Sequence, residues 1–374
     1  MTRGVFDEIV GQAKAVKFLR AAVDGDVVSH AYLFVGPPGS GKRSAALALA
    51  CAIVCEDGGC GTCAACTRVR RRTHPDVHCI EPEGTAGYIR EQMDAVIHDV
   101  SLAPIEARKK VYLIESADLF NDASANAFLK TLEEPPDDVV MILMAHSYDA
   151  VLPTIVSRCQ VVRFARIPPS RAAELLMGLT GADHAEATAA LAASGGVVPR
   201  AREMLASPAR KAARQVILAE LKDLSFADSY DVLLSARRLL EAVKAPLEQV
   251  KSDQAAESLR QSEFLGKSGT KALEERHKRE LTAREREGVA EVLNVAESWL
   301  RDCLVLSQGL PDLVVNADAI DAMEEVAAVI TPAAVSRGMD AVNRARRRIS
   351  YNVSPQLAIE AMLFDIREVL KCPR

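Results

Sequence analysis

Residues 31–44 read Ala31-Tyr32-Leu33-Phe34-Val35-Gly36-Pro37-Pro38-Gly39-Ser40-Gly41-Lys42-Arg43-Ser44. The apolar run Ala31–Val35 predicts a buried strand. The Ala/Leu-rich stretch 42–55 predicts a helix. Strand, glycine loop and helix in that order are the setting of a phosphate-binding loop. Gly36, Gly39 and Gly41 let the backbone approach phosphate oxygens, with N–H groups turned inward at a helix N-terminus. Lys42 supplies a point charge for the outer phosphates. The next position, where a Ser or Thr hydroxyl normally meets magnesium, holds Arg43, which cannot coordinate a cation. Ser44 carries a hydroxyl one position late. The alternative is a plain Gly/Pro turn between strand and helix, and the spacing favours the phosphate loop.

Further strands are expected at Val111–Ile114, Val139–Ala145 and Val161–Phe164, with a helix over Ala123–Leu132 stopped by Glu134-Pro135-Pro136. Strands alternating with helices imply a mostly parallel α/β sheet. Residues 6–24 read as one amphipathic helix. From Pro168 onward no strand is evident. Pro168-Pro169-Ser170 opens a helical region with Ser170 as its candidate N-cap, and Gly195-Gly196 and Pro199 interrupt it. After about residue 209 the chain reads as helical and more charged. Glu274/Lys278, Glu275/Arg279 and Glu280/Arg284 are i,i+4 pairs that support an exposed helix. Lys251–Thr270, with its Ser, Gln and Gly, reads as a flexible loop.

With 374 residues, two or three domains are expected. With a net charge of -5 there is no overall basic excess to advertise tight, independent binding to nucleic acid, although composition leaves open a cluster of Arg and Lys on one face. There is no signal-peptide core and no apolar run long enough to span a bilayer, so a soluble cytoplasmic protein with no membrane partner is expected. In that compartment nine cysteines point to thiols or metal sites rather than disulfides.

Three further clusters carry chemistry. In a working phosphate-loop ATPase, an apolar strand ends in two adjacent carboxylates, one for the metal and one for the attacking water. Here Val111-Tyr112-Leu113-Ile114 is followed by Glu115-Ser116-Ala117-Asp118. Glu115 is placed to face a metal. Ser116 is far too weak a base near pH 7, and Asp118 comes two residues late. Cys55, Cys60, Cys63 and Cys66, the last three spaced C-x2-C-x2-C, suit tetrahedral structural zinc. Cys51, one turn earlier, competes with Cys55 as first ligand, and Cys55 is preferred because it is nearer the loop. His74 reads as a turn residue rather than a fifth ligand. Arg158, in Ser157-Arg158-Cys159, is a candidate arginine finger, set against the plainer reading of a salt-bridged surface arginine.

Taken together, His30–Phe34, the four cysteines, Thr73-His74-Pro75-Asp76, the run Asn126–Pro136 and Ser157-Arg158-Cys159 resemble the bacterial clamp loader family, in this order and over roughly residues 5–205. The resemblance implies an AAA+ P-loop domain over 1–166 with a parallel sheet and a zinc-binding insertion at about 55–66. A small helical lid over 167–208 and an all-α collar over 209–374 would follow. Gly36, Gly39, Gly41, Lys42, Ser44 and Glu115 would be the nucleotide-binding positions, with ATP and magnesium the ligands and their occupancy left open. Arg158 would reach the ATP of a neighbouring subunit.

Two kinds of member compete. Tau/gamma subunits are intact motors; delta-prime subunits are degenerate in the ATPase motifs and keep the finger. Arg43 and Ser116 favour the delta-prime kind, without hydrolysis of its own, inside a DNA polymerase holoenzyme (a nucleotidyltransferase as a whole). Its implied partners are delta and tau/gamma subunits in a hetero-pentamer, with the sliding clamp and primed DNA met through the complex. The motor's second sensor arginine would fall near Pro199, beside Arg200. A third reading, a zinc-bearing DNA-binding module, draws on Arg68, Arg70, Arg71 and Arg72 after Cys66, although a solvated helix face explains that run as well.

Overall fold

The computed structural model describes residues 4–82, 87–261, 267–351 and 353–371. It divides into two compact units, Met1–Arg171 and Ala172–Arg374.

The first unit is built on five parallel strands: β1 (Ala31–Val35), β2 (Val77–Ile80), β3 (Lys110–Ile114), β4 (Val139–Ala145) and β5 (Gln160–Arg163), in the order β2-β3-β4-β1-β5. Leu33 lies opposite Leu143 on one side and Val161 on the other, and Leu113 lies opposite Ile142. Strands β1, β3 and β4 are buried along their whole length. A parallel sheet covered on both faces needs such unbroken apolar runs, and these are what made the three strands legible. Helix α1 (Ala13–Asp24) precedes β1, and α2 (Lys42–Val54) follows it. The buried alanines 45, 46, 48, 50 and 52 let α2 lie close against one face, with Leu49 and Phe34 in the same core. Helices α3 (Ala64–Arg70), α4 (Arg90–Val100) and α5 (Asp122–Glu133) follow in turn. Met93 of α4 and Phe128 of α5 build the core on the other face. The short α6 (Pro153–Val156) leads into β5.

Several sequence expectations change here. The span 6–24 is a 3-10 turn at Val5–Glu8 and then α1, because Gly11 takes a left-handed φ of +74° and Gln12 departs from helix. Strand β2 and helix α4 were not anticipated, and α3 was foreshadowed only by the helix-face reading of the arginine run after Cys66. The β2 residues Val77-His78-Cys79-Ile80 mix polar with apolar, and α4 has a modest apolar stripe.

The second unit is helical throughout its described residues. It comprises α7 (Pro169–Thr180, whose first three residues belong to the first unit), α8 (His184–Ala193), α9 (Val198–Ala206), α10 (Pro208–Asp223), α11 (Ser229–Gln261), α12 (Lys267–Ser307), α13 (Ile320–Ala327), α14 (Pro332–Ser350) and α15 (Pro355–Lys371). Pro169 itself opens α7, so Ser170 lies inside the first turn and is not the N-cap. Likewise Pro199 sits in the first turn of α9, a position that tolerates proline.

Lys251–Gln261 belongs to α11 and 267–270 to α12, while 262–266 lie outside the described residues. The polar composition misled because its polar groups are satisfied helix to helix. Buried Gln254 donates to the His277 carbonyl at 3.3 Å and to Glu280 at 3.0 Å. The expected Glu280–Arg284 pair forms at 3.1 Å; the side chains of Glu275 and Arg279 lie outside the described residues.

Trp299, Leu300, Val342 and Leu363 are fully or almost fully buried in this unit. Ion pairs add to the apolar packing. Arg210 meets Glu291 at 2.7 Å with both side chains buried, and buried Arg214 meets the exposed Asp318 at 2.6 Å. Buried Asp302 accepts the N–H groups of Val315 and Asn316. The Asn294 amide donates to the Ala193 carbonyl at 2.9 Å, tying α12 to α8.

Candidate phosphate site, cysteine cluster and arginine

The loop 36–41 leaves the C-terminal end of β1 and enters α2, at the sheet edge where open α/β folds place their ligands. A Cβ on Gly36 would fall 2.3 Å from the Phe164 carbonyl oxygen, so only glycine fits beside β5. Gly39 and Gly41 have φ of +74° and +86°, left-handed conformations that glycine adopts without strain. Lys42 folds back on the loop, donating to the Gly36 carbonyl and to the Pro37 carbonyl at 3.0 Å. Burial lowers its ammonium pKa, and the charge of Asp118 works against that shift. Ser40 is buried, and its hydroxyl has no partner among the described residues.

Gln12 braces the loop from behind. Its amide donates to the Ser40 carbonyl at 2.9 Å and the Ala165 carbonyl at 2.7 Å, and it accepts the Ala165 N–H at 3.1 Å. Sequence reasoning placed Gln12 within a helix and missed this role. The signal available was the glycine before it, which breaks the helix and turns the side chain inward.

Arg43 answers the question raised by its position. Its guanidinium lies 2.8 Å from Glu115 and 2.9 Å from Glu81. Glu81 also meets Arg72 at 3.3 Å. Burial raises the Glu115 pKa, and the Arg43 charge opposes that rise. The carboxylate expected to face a metal is therefore paired with a cation from the chain itself. Ser116 adopts a left-handed φ of 52° and opens the 3-10 turn Ala117–Leu119. Asp118 turns to His146 at the end of β4, accepting its backbone N–H at 3.2 Å and lying 3.0 Å from its Nδ1. Burial pushes the Asp118 carboxyl up, yet the hydrogen bond and charge of His146 hold it below the usual range. Tyr88 ties the ends of β2 and β3 by donating to the carbonyls of Ile80, at 3.0 Å, and Glu115. Glu81, Tyr88 and His146 were not legible, because each is brought in by a strand or helix distant in sequence. Ser44 follows Arg43 on the first turn of α2 and lines a cavity of about 210 Å³ with Val5, Leu47 and Cys51.

The four cysteines converge. Their sulfurs all lie within 4.8 Å of one another, Cys55 being 3.8 Å from Cys60 and 3.7 Å from Cys63. Thiolates held about 2.3 Å from a tetrahedral zinc stand about 3.8 Å apart, so the donor set fits that ion. The Cys63 N–H points at the Cys60 sulfur and the Cys66 N–H at the Cys63 sulfur, each at 3.4 Å. The N–H groups of Thr62 and Cys63 hold the Cys60 thiol down to about 6. Cys51 stands apart: burial pushes its thiol up to about 11, and it donates to the Cys66 carbonyl.

His74 is no ligand. It is buried, accepts the Asp76 N–H at 3.1 Å and faces Glu106 at 3.1 Å. Asp76, fully buried, accepts the N–H groups of Ile105, Glu106 and Ala107 at 2.6–2.9 Å, so Thr73–Asp76 clamps the loop that enters β3.

Arg158 follows α6 and is half-buried. Its Nε donates to Glu133 at 2.8 Å, its Nη2 also donates to Glu133, and its Nη1 donates to the Thr154 carbonyl at 2.8 Å and Ser157 Oγ at 3.1 Å. Arg70 pairs with Glu8 at 2.7 Å, Arg68 with Glu106 and Arg72 with Glu81. In the second unit Arg200 pairs with Glu287 at 3.2 Å.

A parallel α/β domain with a glycine phosphate loop, followed by a region that is helical in its described residues, defines the class of P-loop proteins. Two family models match the chain: "DNA polymerase III, delta subunit" over residues 11–168 and "DNA polymerase III, delta subunit, C terminal" over residues 279–368. DNA polymerase III subunit delta' of Bacillus subtilis is 38% identical over 161 residues, covering 42% of this chain and 49% of that protein. Subunit tau of the same organism is 38% identical over 166 residues, covering 43% of this chain and 29% of that one. A gamma subunit-related protein of Thermotoga maritima superposes with a TM-score of 0.43 at 18% identity, over 95% of this chain and 99% of that one. This chain belongs to the bacterial DNA polymerase III clamp loader family. It spans about half the length of the first of these curated relatives and under a third of the second.

Proposed function

We propose that the chain is the delta-prime, non-hydrolysing subunit of a clamp loader, and that it lends Arg158 to the ATP site of a neighbouring motor subunit. The relatives alone leave delta-prime and tau close together, since both match at 38% identity. The observation that carries the choice is the Arg43 guanidinium resting on Glu115, in the place where a motor needs magnesium. Ser116 removes the base from the same site, so two separate parts of the hydrolytic machinery are missing. The intact glycines and Lys42 favour a loop that still accepts the phosphates of ATP without turning it over.

In this reading residues 167–208 act as a lid and 209–374 as the collar that holds the ring of delta and tau/gamma subunits together. ATP bound by the motors drives opening of the sliding clamp and its placement on primed DNA, in the cytoplasm. Zinc held by Cys55, Cys60, Cys63 and Cys66 would supply a structural cross-link between the end of α2 and the loop before α3. The zinc-bearing DNA-module reading loses support because Arg68, Arg70 and Arg72 are each paired with a carboxylate. Arg200 is likewise engaged with Glu287, which leaves it a packing role.

Arginine fingers contribute roughly 10³–10⁵ in phosphoryl transfer. In a loader reconstituted with its motor subunits, Arg158→Ala should slow DNA-stimulated ATP turnover at one site and clamp loading with it. Turnover and loading at the unmodified rate would reject the finger role.

A further inference from the structure

Among the groups that surround Arg158, Glu133 is the one whose geometry has a use beyond packing. It is the last residue of α5, which must stop there because Glu134 precedes Pro135-Pro136. The buried Phe128 and Leu132 of the same helix anchor it in the core, so the backbone that carries Glu133 is held by core packing. Its Oε1 accepts both the Nε and the Nη2 N–H of Arg158. The Thr154 carbonyl and Ser157 Oγ take up Nη1 from the opposite edge. The guanidinium is thus gripped along two sides by groups of the same chain, which leaves one Nη2 N–H of its five donors without a partner among the described residues.

We propose that Glu133 is a positioning residue for Arg158: it aims the free edge of the guanidinium at the phosphate it serves. The inference rests on the finger reading of Arg158. Two effects of Glu133 oppose each other. Its negative charge weakens the field of the arginine, and its fixed geometry removes the rotamer freedom that a long side chain would otherwise lose on engaging a phosphate. The side chains are 33% and 47% exposed, so water and salt screen the charge effect. Geometry is not screened, and it decides the sign: losing Glu133 lowers the rate.

A double-mutant cycle in the reconstituted loader tests this, with steady-state ATP turnover read as kcat and KM. Glu133→Ala should lower kcat roughly tenfold with KM for ATP unchanged. Glu133→Gln, which keeps an acceptor at the same place, should recover most of the loss. In the Arg158→Ala background Glu133→Ala should change nothing further, because there is no guanidinium left to aim. A Glu133→Ala loader at the normal rate beside a slow Arg158→Ala loader overturns the positioning role alone. The same holds if Glu133→Ala costs as much in the Arg158→Ala background, which would mark a structural effect. An Arg158→Ala loader at the normal rate overturns the finger reading itself, and the inference with it.

Discussion

Arg43 and Asp76 show two ways in which a single residue is read. Arg43 is visible in the sequence as a misfit in a known loop, and its consequence follows from valence alone: a guanidinium cannot bind magnesium. That it turns to Glu115 and Glu81 instead was not visible, because Glu81 reaches the site only through β2, a strand whose mixed pattern hides it. Asp76 stands out in the sequence only as part of a motif, yet its carboxylate carries three backbone N–H groups of a loop about thirty residues on. Burial raises its pKa, and the three hydrogen bonds, with the nearby His74, more than reverse that, so the folded value is depressed. A depressed carboxylate stabilises the fold at pH above its unfolded pKa of about 3.9 and loses that contribution as pH falls through the folded value. Asp76→Ala should therefore cost about 3 kcal/mol at pH 7, since three backbone N–H groups lose the buried carboxylate that accepts them. Chemical denaturation at pH 7 and at pH 3 checks this, with the gap between the two proteins narrowing at the lower pH. A gap that widens at low pH would contradict the assignment.

At the level of elements, legibility followed burial pattern. Strands β1, β3 and β4, buried on both faces, were read to within a residue, as were α2 and α5, because unbroken apolar runs and a glycine or proline boundary define them. Elements with one wet face, β2, α3 and α4, carried no such run. The helical character of 251–261 and 267–270, at the facing ends of α11 and α12, was hidden by polar residues whose partners sit on the other helix.

The cysteine cluster was legible from spacing, and the structure groups Cys55 rather than Cys51 with the other three sulfurs. Cys55, the residue that caps α2, joins the cluster, while Cys51 one turn earlier faces the Cys66 carbonyl. Zinc analysis of the purified chain should accordingly give one ion per chain. Cys51→Ser should keep it, and Cys55→Ser should lose it together with thermal stability. Retention by Cys55→Ser and loss by Cys51→Ser would reverse the ligand assignment.

For the whole molecule, the α/β unit and the helical unit were both foreseeable, since strand signals stop where the helical unit begins. The α/β unit carries a glycine phosphate loop, and beside it a guanidinium of the same chain pairs with the Glu115 carboxylate, which the proposed reading assigns to the metal. The decisive measurement is ATP turnover by the purified chain with magnesium, with and without primed DNA, beside Lys42→Ala. A chain whose site is filled from within should show no turnover above that of Lys42→Ala under either condition; robust turnover that Lys42→Ala abolishes would contradict it.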